Sequence, residues 1–388
     1  MSATITPAPA SESLPRTAET PAARARELLP LLSAQASGHD EADSFVGENY
    51  DLLKGAGLVE AGVPRGLGGG GAGIRELAEM LRILAHGCSS TALAFSMHTH
   101  QVAVPAWRWE HQGAKPVEQL LRRVAAERII LLSSGGADWI AGSGEARRVE
   151  GGYRIYGTKT FSSGSPAGDL LMTGAVLREE EGDSVIHFAA PMKAPEVRVL
   201  DTWRALGMRG TGSNDVLIDG LFVADAQVSF KRRAGEWHPV FQIIATIAFP
   251  LIYAVYLGVA ERARDMAIAA AKARRPGEDA LLLAGRMENS LRAARLAHDW
   301  MLRAAERNAP GEESVNDVMT GRALLAEAAI RTVELAMELA GGAAFQRKAG
   351  IERLFRDVQG ARFHPLQPLP QARYAGAMAL GLPVARIF

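Results

Sequence analysis

The feature that most constrains this chain is a double change of hydrophobic period. From residue 21 to about 127, apolar residues recur at helical spacing, as in ARARELLPLLSAQA, EADSFVGENYDLLKGAGL and IRELAEMLRILAHG. Near residue 128 the texture becomes that of strands. RIILLSS reads as a buried strand, and ARRVEGGYRIYGTKTF as a hairpin turning at Gly151-Gly152. DLLMTGAVL, VIHFAAP and NDVLIDGLFV continue the β region to about residue 228. From about residue 241 the helical period returns and stays. FPLIYAVYLGVAERARDMAIAAAKA is one helix, and a second carries Met287, Leu291, Ala294, His298 and Met301 on one face. A third is expected to start at Ser314, three residues ahead of Asp317 in a capping-box arrangement, and to stop at Gly341-Gly342. The spacing therefore predicts a disordered tail over 1–20, an N-terminal helical domain over 21–127, a middle β-domain over 128–228 and a C-terminal helical bundle over 229–388. The fold class is mainly α with a central β-domain.

At 388 residues the chain exceeds one ordinary core. Lys+Arg and Asp+Glu both number 43, so no charge imbalance points to nucleic acid or an anionic membrane. Cys88 is the only cysteine and reads as a buried small residue, which leaves no intrachain disulfide and no cysteine metal cluster. The nine histidines lack H-E-x-x-H spacing, and His98-Thr-His100 alone is a weak metal signal, so no metal is expected. The first 22 residues lack the basic start and apolar core of a signal peptide, and no apolar run is read as membrane-spanning. The expectation is a cytoplasmic protein without nucleic-acid or membrane partners. VPRGLGGGGAG is not followed by G-K-[ST] and reads as a flexible turn into the helix from Ile74. His298 reads as a structural histidine. Trp107, Trp109 and Trp139 either line a substrate pocket or pack.

Four phrases stand in a telling order: VPRGLGGGGAG, YRIYGTKTFSSGSPAGDLLMTGAV, LGMRGTGSNDVLIDGLFV and MELAGGAAFQRKAGIERLFRDV. Together they resemble the acyl-CoA dehydrogenase family over nearly everything after residue 21. The matching family phrases are a Pro-x-x-x-Gly-Gly turn, a flavin-facing strand pair, an L-G-x-R-x-T-x-[ST] strand and a Q-x-x-G-G helix end followed by E-R-x-x-R-D. The resemblance implies an N-terminal helical domain, a middle β-barrel-like domain and a C-terminal four-helix bundle, assembled as a homotetramer with bound flavin. It implies that Phe161 stacks near the flavin ring, where the family usually has Trp. Ser163 would hydrogen-bond the ring edge, and Ser133 or Ser134 would stand at the preceding strand end. Arg274, Gly341 and Gly342 would lie toward the cofactor's tail.

The departures from the family pattern bear on the reaction. After R-D the family usually reads K-x-x-x-I-Y-E-G-T, and its Glu takes the α-proton of an acyl-CoA while flavin N5 accepts the β-hydride. Counting from Arg356-Asp357 without gaps sets Phe363-His364-Pro365-Leu366 on I-Y-E-G. Pro365 supplies neither a carboxylate nor an N–H for the thioester carbonyl. Members resembling isovaleryl-CoA dehydrogenase take the Glu from the helix that matches VFQIIATIAFPLIYAVYLG, where Gln242 or apolar neighbours stand here and Glu236 is well displaced. The FAD-gripping R-x-x-F-G is absent from AKARRPGEDALLLAGRMENSL, and Glu338 replaces the Gln of Q-x-x-G-G, setting an anion where a diphosphate is held. FMN, or reduced flavin loosely held, then joins FAD as the cofactor implied.

A branch similar to dibenzothiophene monooxygenase and the oxygenase component of p-hydroxyphenylacetate hydroxylase fits these losses. Such members take reduced flavin from a separate reductase and form a C4a-hydroperoxyflavin that must be kept dry. On this reading His98, Ser163 and His364 shape the C4a/N5 side, and RFHPLQPLP exchanges a base for a proton donor on a rigid corner. His364 as a cap on the preceding helix is the plainer alternative. Three readings follow: a two-component monooxygenase acting on a small organic molecule, an acyl-CoA dehydrogenase with an unrecognised base, and a non-catalytic family member.

Overall fold

A computed structural model describes residues 19–135 and 138–384. The tail expected through residue 20 lies, up to residue 18, outside the described residues. Five helices come first: α1 (Pro21–Glu41), α2 (Gly47–Gly55), α3 (Ile74–Gly87), α4 (Ser89–Gln112) and α5 (Glu118–Glu127). The Thr20 hydroxyl accepts from Ala23 N–H at 3.2 Å and Pro21 occupies the first helical position, so α1 starts where its capping chemistry dictates. The glycine-rich stretch before α3 is no flexible turn. The N–H groups of Gly70, Gly71 and Ala72 bond the carbonyls of Glu60, Val63 and Ala61 at 2.8–3.0 Å, folding the run back on its own approach.

Eight strands follow: β1 (Leu131–Ser133), β2 (Glu145–Val149), β3 (Gly152–Lys159), β4 (Leu170–Leu177), β5 (Ser184–Pro191), β6 (Val197–Val199), β7 (Val216–Ala224) and β8 (Phe230–Arg233). They form one mixed sheet in the order β6-β7-β3-β2-β4-β5-β8, with β1 parallel to β4 through Leu131–Leu170. The β region therefore runs past residue 228, because β8 pairs with β5 (Ser184 opposite Arg233). The alternating strands turn one face to a core holding Ile155, Leu171, Ala175 and Ile186, all fully buried.

The remaining helices are α6 (Val240–Ala273), α7 (Glu278–Glu306), α8 (Glu312–Ala340), α9 (Ile351–Val358) and α10 (Pro368–Leu380). One correction concerns α6, which is long and apolar enough to cross a membrane by length and composition. Almost all of that stretch is instead buried in the bundle, as expected of a helix apolar on every side. A second concerns α8. Ser314 is not its N-cap but its third residue, where its hydroxyl accepts the Gly311 N–H at 2.8 Å. Pro368 opens α10 at the first helical position, which needs no N–H.

Candidate active site

Two loops from the sheet are laced together at one end of the β region. Ser162 N–H bonds Asn214 O at 3.2 Å and Gly164 N–H bonds Thr211 O at 2.8 Å, joining the turn after β3 to the segment before β7. Phe161 lies on that turn in the left-handed region (φ 54°), is 62% exposed, and sets its ring edge-on to that of Trp203 at 6.0 Å. Asn214 Oδ1 fixes Trp203 by accepting its N–H at 2.9 Å. An aromatic face held outward by the backbone is a stacking surface. Gly135, at the end of β1, donates to Thr160 O at 3.1 Å, and any Cβ there would lie 2.7 Å from that of Phe161.

The hydroxyls of this end are connected. Ser163 Oγ lies 2.8 Å from Ser213 Oγ, which lies 2.7 Å from Thr211 Oγ1, whose proton goes to Met208 O at 2.9 Å. Ser134 Oγ accepts from Thr173 at 3.0 Å, and Ser133 Oγ reaches Met97 Sδ at 3.5 Å. Behind them, buried Lys159 donates to Asp138, Ser143 O and Gly174 O at 2.6–3.1 Å, so its charge is matched where it sits.

His98 does not fill the role expected of it. Leu131 N–H donates to its Nδ1 at 3.0 Å, so Nε2 carries the proton and gives it to Val59 O at 2.9 Å. Both ring nitrogens are spent on backbone, and burial lowers its pKa to about 4, keeping the ring neutral. His98 fastens α4 to β1 and offers nothing to a substrate. His100 lies two residues on and about 200° round the same helix. Its Nδ1 donates to Ser96 O at 3.0 Å, and its Nε2 accepts from the Gln101 side-chain amide at 3.4 Å.

The corner 362–367 is held from below by Arg322, which is 1% exposed. Its Nε donates to Tyr253 Oη at 2.6 Å, one terminal nitrogen donates to His364 O at 2.8 Å, and the other donates to Leu366 O. Tyr253 passes its own proton to Ala361 O at 2.7 Å. His364 is therefore not a helix cap, since its Nε2 meets the Tyr256 hydroxyl at 2.6 Å. Burial first, then Arg322 and His100, lower its pKa to about 3, so the ring is neutral. Burial raises the Tyr256 pKa, so the phenol keeps its proton and donates it to Nε2. The proton of His364 is then on Nδ1.

Among the described residues, neither Asp357 nor Glu236 replaces the carboxylate missing at Pro365. Asp357 is buried, but its oxygens accept Met208 N–H at 2.5 Å and the Ser89 hydroxyl. Glu236 is exposed and Gln242 lines a separate 410 Å³ cavity with Arg108 and His238. The residues expected at a cofactor tail are differently employed. Arg274 donates to Ala340 O and Leu339 O at 2.5 and 2.7 Å, capping α8. Gly341 (φ 76°) leaves room for that guanidinium, and Gly342 opens a short 3-10 turn to Phe345. Glu338 is exposed, 3.8 Å from Arg331.

The aromatic residues Trp237, Phe241 and Phe249 surround Trp139 at centroid distances of 5.4–5.7 Å and pack it against α6. Trp139 thus packs, and Trp107 bonds Asn308 through its N–H at 3.0 Å. His298 donates to Pro250 O at 2.9 Å and is structural.

Comparison with known proteins gives the site a context. Residues 22–125 match the family model for the acyl-CoA dehydrogenase N-terminal domain, and residues 250–364 match that for the C-terminal domain. L-evernosamine nitrososynthase from a Micromonospora species is 26% identical over 92% of this chain and 88% of its own length. The oxygenase component of p-hydroxyphenylacetate 3-hydroxylase from Acinetobacter baumannii is 24% identical over 87% of this chain and 83% of its own. Among solved structures, KijD3 in complex with FMN and dTDP-3-amino-2,3,6-trideoxy-4-keto-3-methyl-D-glucose superposes with a TM-score of 0.86. It is 26% identical, covering 96% of this chain and 97% of that one.

Proposed function

The chain belongs to the acyl-CoA dehydrogenase superfamily of flavin-dependent oxidoreductases, and we propose that it is the oxygenase of a two-component monooxygenase. It would take reduced flavin from a separate reductase and oxidise a small organic molecule. The observation that carries this reading is the corner at His364-Pro365. Where a dehydrogenase needs a carboxylate, the chain has a proline and, beside it, a neutral imidazole oriented by Tyr256.

The residues present fit a flavin. Phe161 offers an exposed ring and Ser163 an oxygen at the same rim. Bound reduced flavin supplies the electrons that activate dioxygen. Ser163 would hold the edge of the ring system and His364 Nδ1–H would hold a proton at the oxygen-facing side. The Trp139 cluster would exclude water from it. FMN suits the site, because Arg274 is committed to the end of α8 and Glu338 stands nearby. The similarity to nitrososynthases makes a primary amine, such as that of an amino sugar, the first substrate class to try. Exposed Leu281, Leu296 and Trp300 on α7 and Leu324 on α8 support a homo-oligomer, a tetramer by resemblance.

The test is to mix the protein with reduced FMN under anaerobic conditions, then with oxygen, and follow absorbance. A blue-shifted band that persists before the oxidised spectrum returns is the expected result. Immediate reoxidation, with and without an amine, together with bleaching of bound oxidised FAD by an acyl-CoA, would return the protein to the dehydrogenases.

A further inference from the structure

We propose that the hydroxyl chain Ser163–Ser213–Thr211 makes the site selective for reduced over oxidised flavin. This inference rests on the reading of Ser163 as a flavin-edge residue. The chain ends at Met208 O, and a carbonyl can only accept. Thr211 has one proton and directs it there at 2.9 Å, so its oxygen receives the proton of Ser213 at 2.7 Å. Ser213 has then no proton left, and Ser163 must donate to it across 2.8 Å. Ser163 is left with lone pairs alone on its outer side.

Thr211 and Ser213 are 0% and 5% exposed, so water does not reset this order. The carbonyl end is itself immobile. Met208 has a left-handed backbone (φ 55°), and its N–H is held by Asp357 Oδ1. Ser163 is the half-buried, outward end of the series, on the turn that exposes Phe161.

Oxidised flavin has a bare nitrogen at N5, which needs a donor. Reduced flavin has N5–H, which needs an acceptor. A lone pair on Ser163 satisfies the second and faces the first with like charge density. An unmet partner in a sheltered site weakens binding by on the order of ten-fold. Selection then occurs at binding, which suits an oxygenase fed by another protein, because spent cofactor is the form released.

The experiment measures dissociation constants of oxidised FMN and of dithionite-reduced FMN under anaerobic conditions, for the full chain and three variants. The native protein is expected to bind reduced FMN at least about ten-fold more tightly. Ser213→Ala and Thr211→Val each interrupt the series, free the Ser163 proton to turn outward and bring the two constants together. Thr211→Ser keeps the hydroxyl and the preference. Two interrupting variants guard against one misfolding, with circular dichroism as the check. Equal native affinities, or a preference unchanged in both interrupting variants, would overturn the proposal while leaving the flavin reading intact. Binding of neither form to the native protein would overturn both.

Discussion

The Tyr256 hydroxyl lies 2.6 Å from Nε2 of His364, and this contact decides which imidazole nitrogen carries the proton. Tyr256 stands on α6 and His364 on the corner before α10, 108 residues later. Removing the phenol leaves Nε2 bare and the tautomer unset. Tyr256→Phe is expected to shorten the oxygen-reaction band by about ten-fold, as is His364→Ala, through loss of one hydrogen bond. The double variant should be no worse than either single one, because the two groups act as a unit. Additive losses would separate them.

His98 should behave as a fold residue. His98→Ala removes the partners of Leu131 N–H and Val59 O, both of them buried groups. A loss of about 1–3 kcal/mol in urea unfolding is expected, with the lifetime of the oxygen-reaction band unchanged in the folded fraction. A normal stability with a collapsed band lifetime would restore a catalytic role.

Arg322→Met should be more damaging. The guanidinium is the shared donor to Tyr253 and to the carbonyls of His364 and Leu366. Its loss orphans the carbonyls of His364 and Leu366 and frees the corner, at a cost of about 1–3 kcal/mol for each buried acceptor. Limited proteolysis should then cut within 362–370. Native-like resistance there would mean the prolines alone hold the corner.

Acid should unfold the protein in two stages. Burial lowers His98, His100 and His298 to about 4, and burial with nearby cations lowers His187 and His364 to about 3. Unfolded histidine titrates near 6.5. The native state binds fewer protons, so this stability is complete above 6.5 and is lost as pH falls from there toward 3–4. Glu261 follows lower down. Burial raises its pKa, but a bond from His86 and the charges of Arg82 and Arg295 more than reverse this, to about 2. Its share is present above 4.5 and lost as pH falls through about 2. Urea midpoints that stay flat from about pH 7 to about pH 5 would contradict the histidine stage.

Leu296 and Trp300 lie one turn apart on α7 and are 65% and 50% exposed. Replacing both by Glu is expected to lower the mass found by light scattering. A monomeric native protein would show that this face is not an interface between copies.

What was legible in the sequence follows the distance over which each feature is built. The turn bearing Phe161 and Ser163 belongs to one strand end, and its phrase is local. His98 and His100 were both visible, but a helix sets residues two apart on nearly opposite sides, and only the packing of β1 against α4 decides which side is taken up. β8 was missed because Phe230-Lys231-Arg232-Arg233 is the charged outer strand of the sheet, which lacks apolar alternation. Ser314 was placed one turn early because Gly311 serves as the cap and has no side chain to advertise it. Tyr256, Arg322 and Ser213 were not singled out, since each acquires its role from a partner on another element.

Asp357 ties Met208 to a point 149 residues further along and Ser89 to one 268 residues further along. A polypeptide emerging from the ribosome, its N-terminal parts folding first, therefore has the turn with Phe161 and Ser163 long before it has the anchor that steadies their neighbours. On the proposed function, the rim that would hold flavin is anchored only once Asp357 has been made. A product stalled before residue 357 would carry the sheet while the segment at Met208 still lacked its anchor.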